Sequence, residues 1–115
     1  MRAAVAAALL QLGQPYETVA PTIRALAQQN DTAARSSAAF ALGKATKVNR
    51  QGAIAVLASL ATDPLPGPKI VAIRSLGHIG DQDIIPDLKE GLHDQNEAVR
   101  ATAAGALLHV MSPGK

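Results

Sequence analysis

The sequence has no cysteine and no tryptophan, and Tyr16 and Phe40 are its only aromatic residues. The first absence excludes disulfides, thiolate metal sites and a cysteine nucleophile. The second removes the rings around which many cores are built, so the interior must be made of Leu, Ile, Val and the 24 alanines. Long apolar runs are missing as well, and none approaches the roughly 20 residues that a membrane-spanning helix needs. Neither sign of charge dominates: the net charge is +2, too little for the strongly basic face of a dedicated nucleic-acid binder. The charge is unevenly placed. Residues 1–60 carry six basic and two acidic side chains (+4), and residues 61–115 carry five and seven (−2), a bipolar arrangement suited to docking by charge complementarity. A chain of 115 residues forms one domain with a modest core. Alanine has the best helix propensity, so the fold class is all-α.

The chain repeats itself. "SSAAFALGKAT", "IVAIRSLGHIG" and "ATAAGALLHVM" align on Leu42, Leu76 and Leu107, at offsets of 34 and 31 residues. Seven positions before each leucine stands a basic residue (Arg35, Lys69, Arg100), and Asp31, Asp63 and Asp94 lie a few residues earlier. The opening "MRAAVAAALLQLGQPY" has the outline of a secretory signal peptide. It also fits the repeat, with Leu9 in the leucine column, Arg2 seven residues before it, and Leu12 in the column of Ile79 and Val110. The register favours a first helix over a leader, and the cytoplasm over export, although composition leaves the compartment open.

A second amphipathic helix follows in each unit. Val19, Ile23, Leu26 and Ala27 share one face, as do Ile54, Leu57, Leu60 and Ala61, and Ile84, Ile85, Leu88 and Leu92. Pro21 and Pro86 fall in one column and are expected in the first turn of their helices, where a missing N–H is harmless. The reading is a right-handed α-solenoid of about 3.5 helix pairs, seven helices, in a single domain over residues 1–115. Its repeats span approximately 1–30, 31–62, 63–93 and a half repeat at 94–115. Met1 stands in the column of Val99, so the chain starts partway into a repeat, and Val110 and Met111 close it after an unpaired first helix. A fragment of a longer array, or ends covered by another subunit, is expected.

The unit resembles the HEAT-like repeats of the short bacterial and archaeal type also found in phycobilisome lyase subunits. The resemblance rests on "DQNEAVRATAAGALLHV", "AIRSLGHIGDQDIIPDLKEGLHD" and, more weakly, "DTAARSSAAFALG". Repeat two departs from the pattern with "KATKVNR" in place of the Gly-Asp turn, and repeat three with "DPLPGPK". The resemblance implies an armadillo-type superhelix that acts by protein–protein interaction. It also implies that Arg2, Arg35, Lys69 and Arg100 pair with Asp31, Asp63 and Asp94 to tie repeats together. These aspartates are suited to capping the first helices as well.

No catalytic constellation can be assembled, so no enzyme, cofactor or metal is expected. His78 and His109 share a solvent-facing column with Gln11 and Lys44, about 10 Å apart at typical helix spacing, too far to share an ion. The His-Glu dipeptides that hold iron in the HEAT-repeat deoxyhypusine hydroxylases have no counterpart, because Ile79, Asp94 and Val110 follow the histidines. Asp81, Asp83 and Asp87 begin like a calcium loop, but Pro86 and Leu92 occupy positions that require Gly and Glu. What remains is surface. Arg24, Arg50, Asp87, Lys89 and Glu90 on the second helices, with Lys44 and Lys47 in the turn of repeat two, are the candidate contacts for another protein. The reading is a non-catalytic scaffold, adaptor or assembly factor. The alternatives are an accessory subunit of a bilin lyase, by analogy with the family, and a nucleic-acid binder using the basic edge. Self-association through the open solenoid ends is a further expectation.

Overall fold

Alanine-rich stretches with a 3.6-residue apolar period become helices, and polar or proline-marked links break them. The computed structural model describes residues 2–112. Among them are seven α-helices: α1 (Ala3–Gln11), α2 (Tyr16–Ala27), α3 (Thr32–Leu42), α4 (Arg50–Leu60), α5 (Pro66–Ile79), α6 (Ile85–Gly91) and α7 (Glu97–Met111). A 3-10 turn, Gln82–Ile84, leads into α6. The starts follow local chemistry. Asp31 Oδ1 accepts the Ala33 N–H at 2.9 Å, and Asn96 Oδ1 accepts the N–H groups of Ala98 and Val99 at 2.8 and 3.1 Å. Pro66 opens α5 without forfeiting a hydrogen bond.

The first helices of the repeats pack side by side in the order α1, α3, α5, α7. The second helices α2, α4 and α6 lie behind them, each against its own first helix and the next one. The result is a slab two helices thick, 36 × 34 × 17 Å across its Cα atoms. Its core is a seam between the layers. Ala38, Leu42, Ala72, Leu76, Ala103 and Leu107 from the first helices join Ile23, Leu57 and Leu88 from the second in one buried cluster.

Two expectations about register are corrected. Pro86 sits in the first turn of α6, but Pro21 lies inside α2, because α2 begins at Tyr16, a turn earlier than the shared proline column implies. Pro21 has no N–H for the Glu17 carbonyl. Both residues are exposed, which leaves that carbonyl open to water. In α1 the core position belongs to Leu10, not Leu9: Ala6 and Leu10 are fully buried, Leu9 only partly so, and Leu12 is 76% exposed. Arg2 therefore sits eight residues before the core leucine and outside the helix, at its N-cap.

That shift breaks the ladder of charges at its first rung. Arg35 and Lys69 lie one turn inside their helices and reach the aspartate that opens the next repeat. Arg35 Nε and Nη2 donate to Asp63 Oδ2 and Oδ1 at 2.6 and 3.3 Å, while Nη1 donates to the Gln29 carbonyl in the link that precedes its own helix. Lys69 Nζ makes the corresponding pair with Asp94. Arg100 holds the Asp94 and Gln95 carbonyls of its own repeat. Asp63 and Asp94 each also accept a backbone N–H two residues on, from Leu65 and Asn96. Asp31 instead occupies the N-cap of α3 itself, and no ion pair joins it to Arg2 among the described residues. Repeats two and three are tied a second time where Arg50 Nε meets Asp81 Oδ2 at 3.8 Å.

Repeats one and two are joined by a buried amide in place of that first rung. Asn49 Nδ2 donates to the Leu10 and Gln14 carbonyls at 3.0 and 2.7 Å, and its Oδ1 accepts the Thr46 N–H at 2.8 Å. From within the turn that precedes α4 the side chain thus adds a second donor to the Leu10 carbonyl, which also accepts the Gly13 N–H, and holds the Gln14 carbonyl in the link to α2.

Burial raises the Asp63 carboxyl, but hydrogen bonds from Arg35 and Leu65 and the charges of Arg35 and Lys69 outweigh it and leave the group below the usual carboxylate range. Asp94 is also lowered, chiefly by its hydrogen bond from Lys69. A carboxyl lowered by folding adds stability above its unfolded value of about 3.9, and that stability drains away as the pH falls through the lower folded value.

Two measurements test this packing. A methyl group on Gly77 would stand 2.6 Å from Ala106 Cβ and 3.1 Å from its Cα, whereas Gly105 has nothing within 4 Å of that position. In urea melts, Gly77→Ala is expected to destabilise by about 1–3 kcal/mol through overpacking. Gly105→Ala is expected to stabilise by about 0.8–1 kcal/mol through helix propensity alone. Asp63→Asn leaves the Arg35 guanidinium without its counter-charge but with the Gln29 carbonyl, and its expected cost at neutral pH is about 2 kcal/mol, below the range for a fully buried pair. The gap from the parent protein should narrow as the pH is taken below about 4.

Candidate functional site

The outward surface of the first helices is hollowed because the residues that cover it are small. A groove of ≈ 560 Å³ runs from Ala3, Ala4 and Ala7 on α1, across Ser36, Ser37 and Phe40 on α3, to Val71, Arg74 and His78 on α5. A shallower one follows between α5 and α7, lined by Arg74, Gly77, His78, Thr102, Gly105 and His109. Both grooves have the same origin: helices close enough for Gly77 to touch Ala106 leave room above the contact wherever the outer position is Ala, Ser or Gly.

Phe40 stands in the first groove and is 60% exposed. Lys44, one turn on, places Nζ 5.1 Å from the ring centroid, a separation at which the ring face attracts an ammonium. The floor is held by Ser75, which is buried and donates from Oγ to the Ala39 carbonyl at 2.8 Å. Arg74 and His78 form the ridge shared by both grooves and are exposed. Among the described residues no carboxylate lines either groove, and none forms an ion pair with Arg74.

Of the candidate contact residues, the grooves gather only Lys44. Lys47 is exposed in the following turn, while Arg50 is drawn away to Asp81. Arg24 is exposed on α2, Lys89 and Glu90 are exposed on α6, and Asp87 is partly buried there. These residues mix both signs and surround no cavity among those described. Arg35, Lys69, Arg100, Asp31, Asp63 and Asp94 are occupied with repeat contacts and helix starts, as set out above. The sequence reasoning missed Phe40 and Arg74. The signal was there, because Phe40, Arg74 and Gly105 share the column two before the aligned leucine, a position where the repeats stop resembling one another.

The described residues contain no cluster of three or more His, Asp or Glu able to hold a metal ion, and no helix long and apolar enough to cross a membrane. No curated protein matches the chain. The family model for HEAT repeats matches residues 54–115, which is more than half of the sequence and runs from within α4 through α7. With seven helices stacked in successive pairs, the chain belongs to the HEAT-repeat family.

Proposed function

We propose that this protein is a non-catalytic docking module, an adaptor or assembly factor that holds another protein on the outward face of its first helices. HEAT repeats generally serve as scaffolds for protein–protein interaction, and the family is typically non-catalytic. The observation that carries the reading here is the open groove across α1, α3 and α5 with Phe40 projecting into it. A large exposed aromatic beside a concave, alanine-lined surface is the kind of anchor on which interface energy concentrates. The second-helix face, with Arg24, Lys47, Asp87, Lys89 and Glu90, offers charge but no comparable concavity.

The test is affinity capture from extract of the source cells with the full chain, at near-physiological salt, with mass spectrometry of the eluate. Two variants run beside it. Gly105→Leu fills open space above α7 and improves helix propensity, so the fold survives while the second groove is blocked. Phe40→Ala removes the anchor from the first. A stoichiometric partner lost in either variant is the expected result. A partner that survives both, but is lost when Lys89 is reversed to Glu, moves the site to the second helices. If the parent protein captures nothing, the docking reading fails.

A further inference from the structure

The charges of the chain are sorted by layer as well as by half. Glu17, Asp83, Asp87 and Glu90 lie on the second helices or the turn into them. Asp63, Asp81 and Asp94 are committed to ion pairs between repeats, and Asp31 to a helix cap. On the first helices the only acidic residue is Glu97, in the first turn of α7. The outward face of that layer therefore presents Lys44 and Arg74 without any carboxylate to balance them.

Arg74 is set apart from the other cations of the first helices. Arg35 and Lys69 are each matched to an aspartate, and Arg100 to carbonyls of its own repeat. Arg74 stands exposed on the ridge between two grooves with no carboxylate against it. Lys44 is steadied over the Phe40 ring, so its ammonium lies beside an apolar surface instead of sweeping through water. A guanidinium fork favours a carboxylate in two-point contact, and the neighbouring alanine floor favours an aliphatic or aromatic side chain. Two cations on an apolar floor are too few to track a phosphate backbone, whose binding grows with the number of charges neutralised.

We infer that the groove takes an acidic segment of a partner protein that also carries a large apolar side chain. Its carboxylates meet Arg74 and Lys44, and its apolar side chain lies on Phe40, Ala3, Ala4 and Ala7. The inference rests on the docking reading above and adds the chemistry of the ligand.

Fluorescence anisotropy with the full chain and a labelled peptide of alternating glutamate and leucine tests it. The same peptide with glutamine for glutamate, and a labelled oligothymidylate, serve as comparisons. The glutamate peptide should bind saturably, more weakly at high salt, and the glutamine peptide should not. Arg74→Glu and Lys44→Glu should each reduce affinity roughly tenfold, Phe40→Ala should reduce it too, and Lys89→Glu on α6 should leave it unchanged. Circular dichroism of each variant checks that the fold persists. Equal binding of the glutamine peptide, indifference to Arg74→Glu, or tighter binding of the oligothymidylate would each overturn the inference. So would sedimentation showing that the parent protein self-associates and that Arg74→Glu makes it monomeric, since the occupant would then be a second copy. If no glutamate peptide binds, yet a captured partner is lost on Gly105→Leu, the docking module stands and its acidic ligand does not.

Discussion

The distance between neighbouring first helices is the constraint on which the rest depends. A core without tryptophan, with its one phenylalanine turned outward, has little bulk to hold helices apart. The helices settle at contacts only small residues permit. A methyl group on Gly43 would meet Ser75 Oγ at 2.7 Å, and one on Gly77 would meet Ala106 Cβ at 2.6 Å. Each such approach adds dispersion contacts that are individually slight and collectively large. It also brings the start of one repeat within reach of the next, so that an arginine or lysine one turn into a helix spans the gap to the following aspartate.

Those ion pairs fix register more than they add stability. Charges withdrawn from water repay little of their desolvation, and Arg35 and Asp63 are both largely withdrawn, with side chains 12% and 5% exposed. The Arg35 fork on Asp63 accepts one offset between repeats and rejects its neighbours. Sliding by a turn would part that fork from its carboxylate and also carry the glycines away from the close contacts that need them.

Much of this was legible in the sequence, and what was not has physical reasons. The seven helices follow from apolar periodicity and from repetition, which reinforces each weak signal. Arg35, Lys69, Asp63 and Asp94 stood out because one spacing recurred. Pro21 misled because a column alignment transfers a residue's position but not the start of its helix. Arg2 misled because Leu9 and Leu10 serve a sequence alignment equally well, and only packing chooses between them. The grooves were hidden for a different reason. They are bounded by solvent-facing positions, where no apolar pattern is imposed, and they arise from the approach of helices distant in sequence. Lys44 could be singled out as a charge in a turn, but its place against Phe40 depends on a side chain turned to water.

Asn49 carries a consequence for how the molecule comes apart. A stack of repeats ordinarily loses order from its ends, one unit at a time, because each unit answers only to its neighbour. Peeling α1 and α2 away here would break both hydrogen bonds that the buried Asn49 amide donates and uncover it to water. The turn before α4 is shaped by that same side chain through the Thr46 N–H, so it loosens when the end unit departs. Departure of the first pair is thereby coupled to the turn that opens α4, and the Thr46 N–H is the group through which that coupling passes.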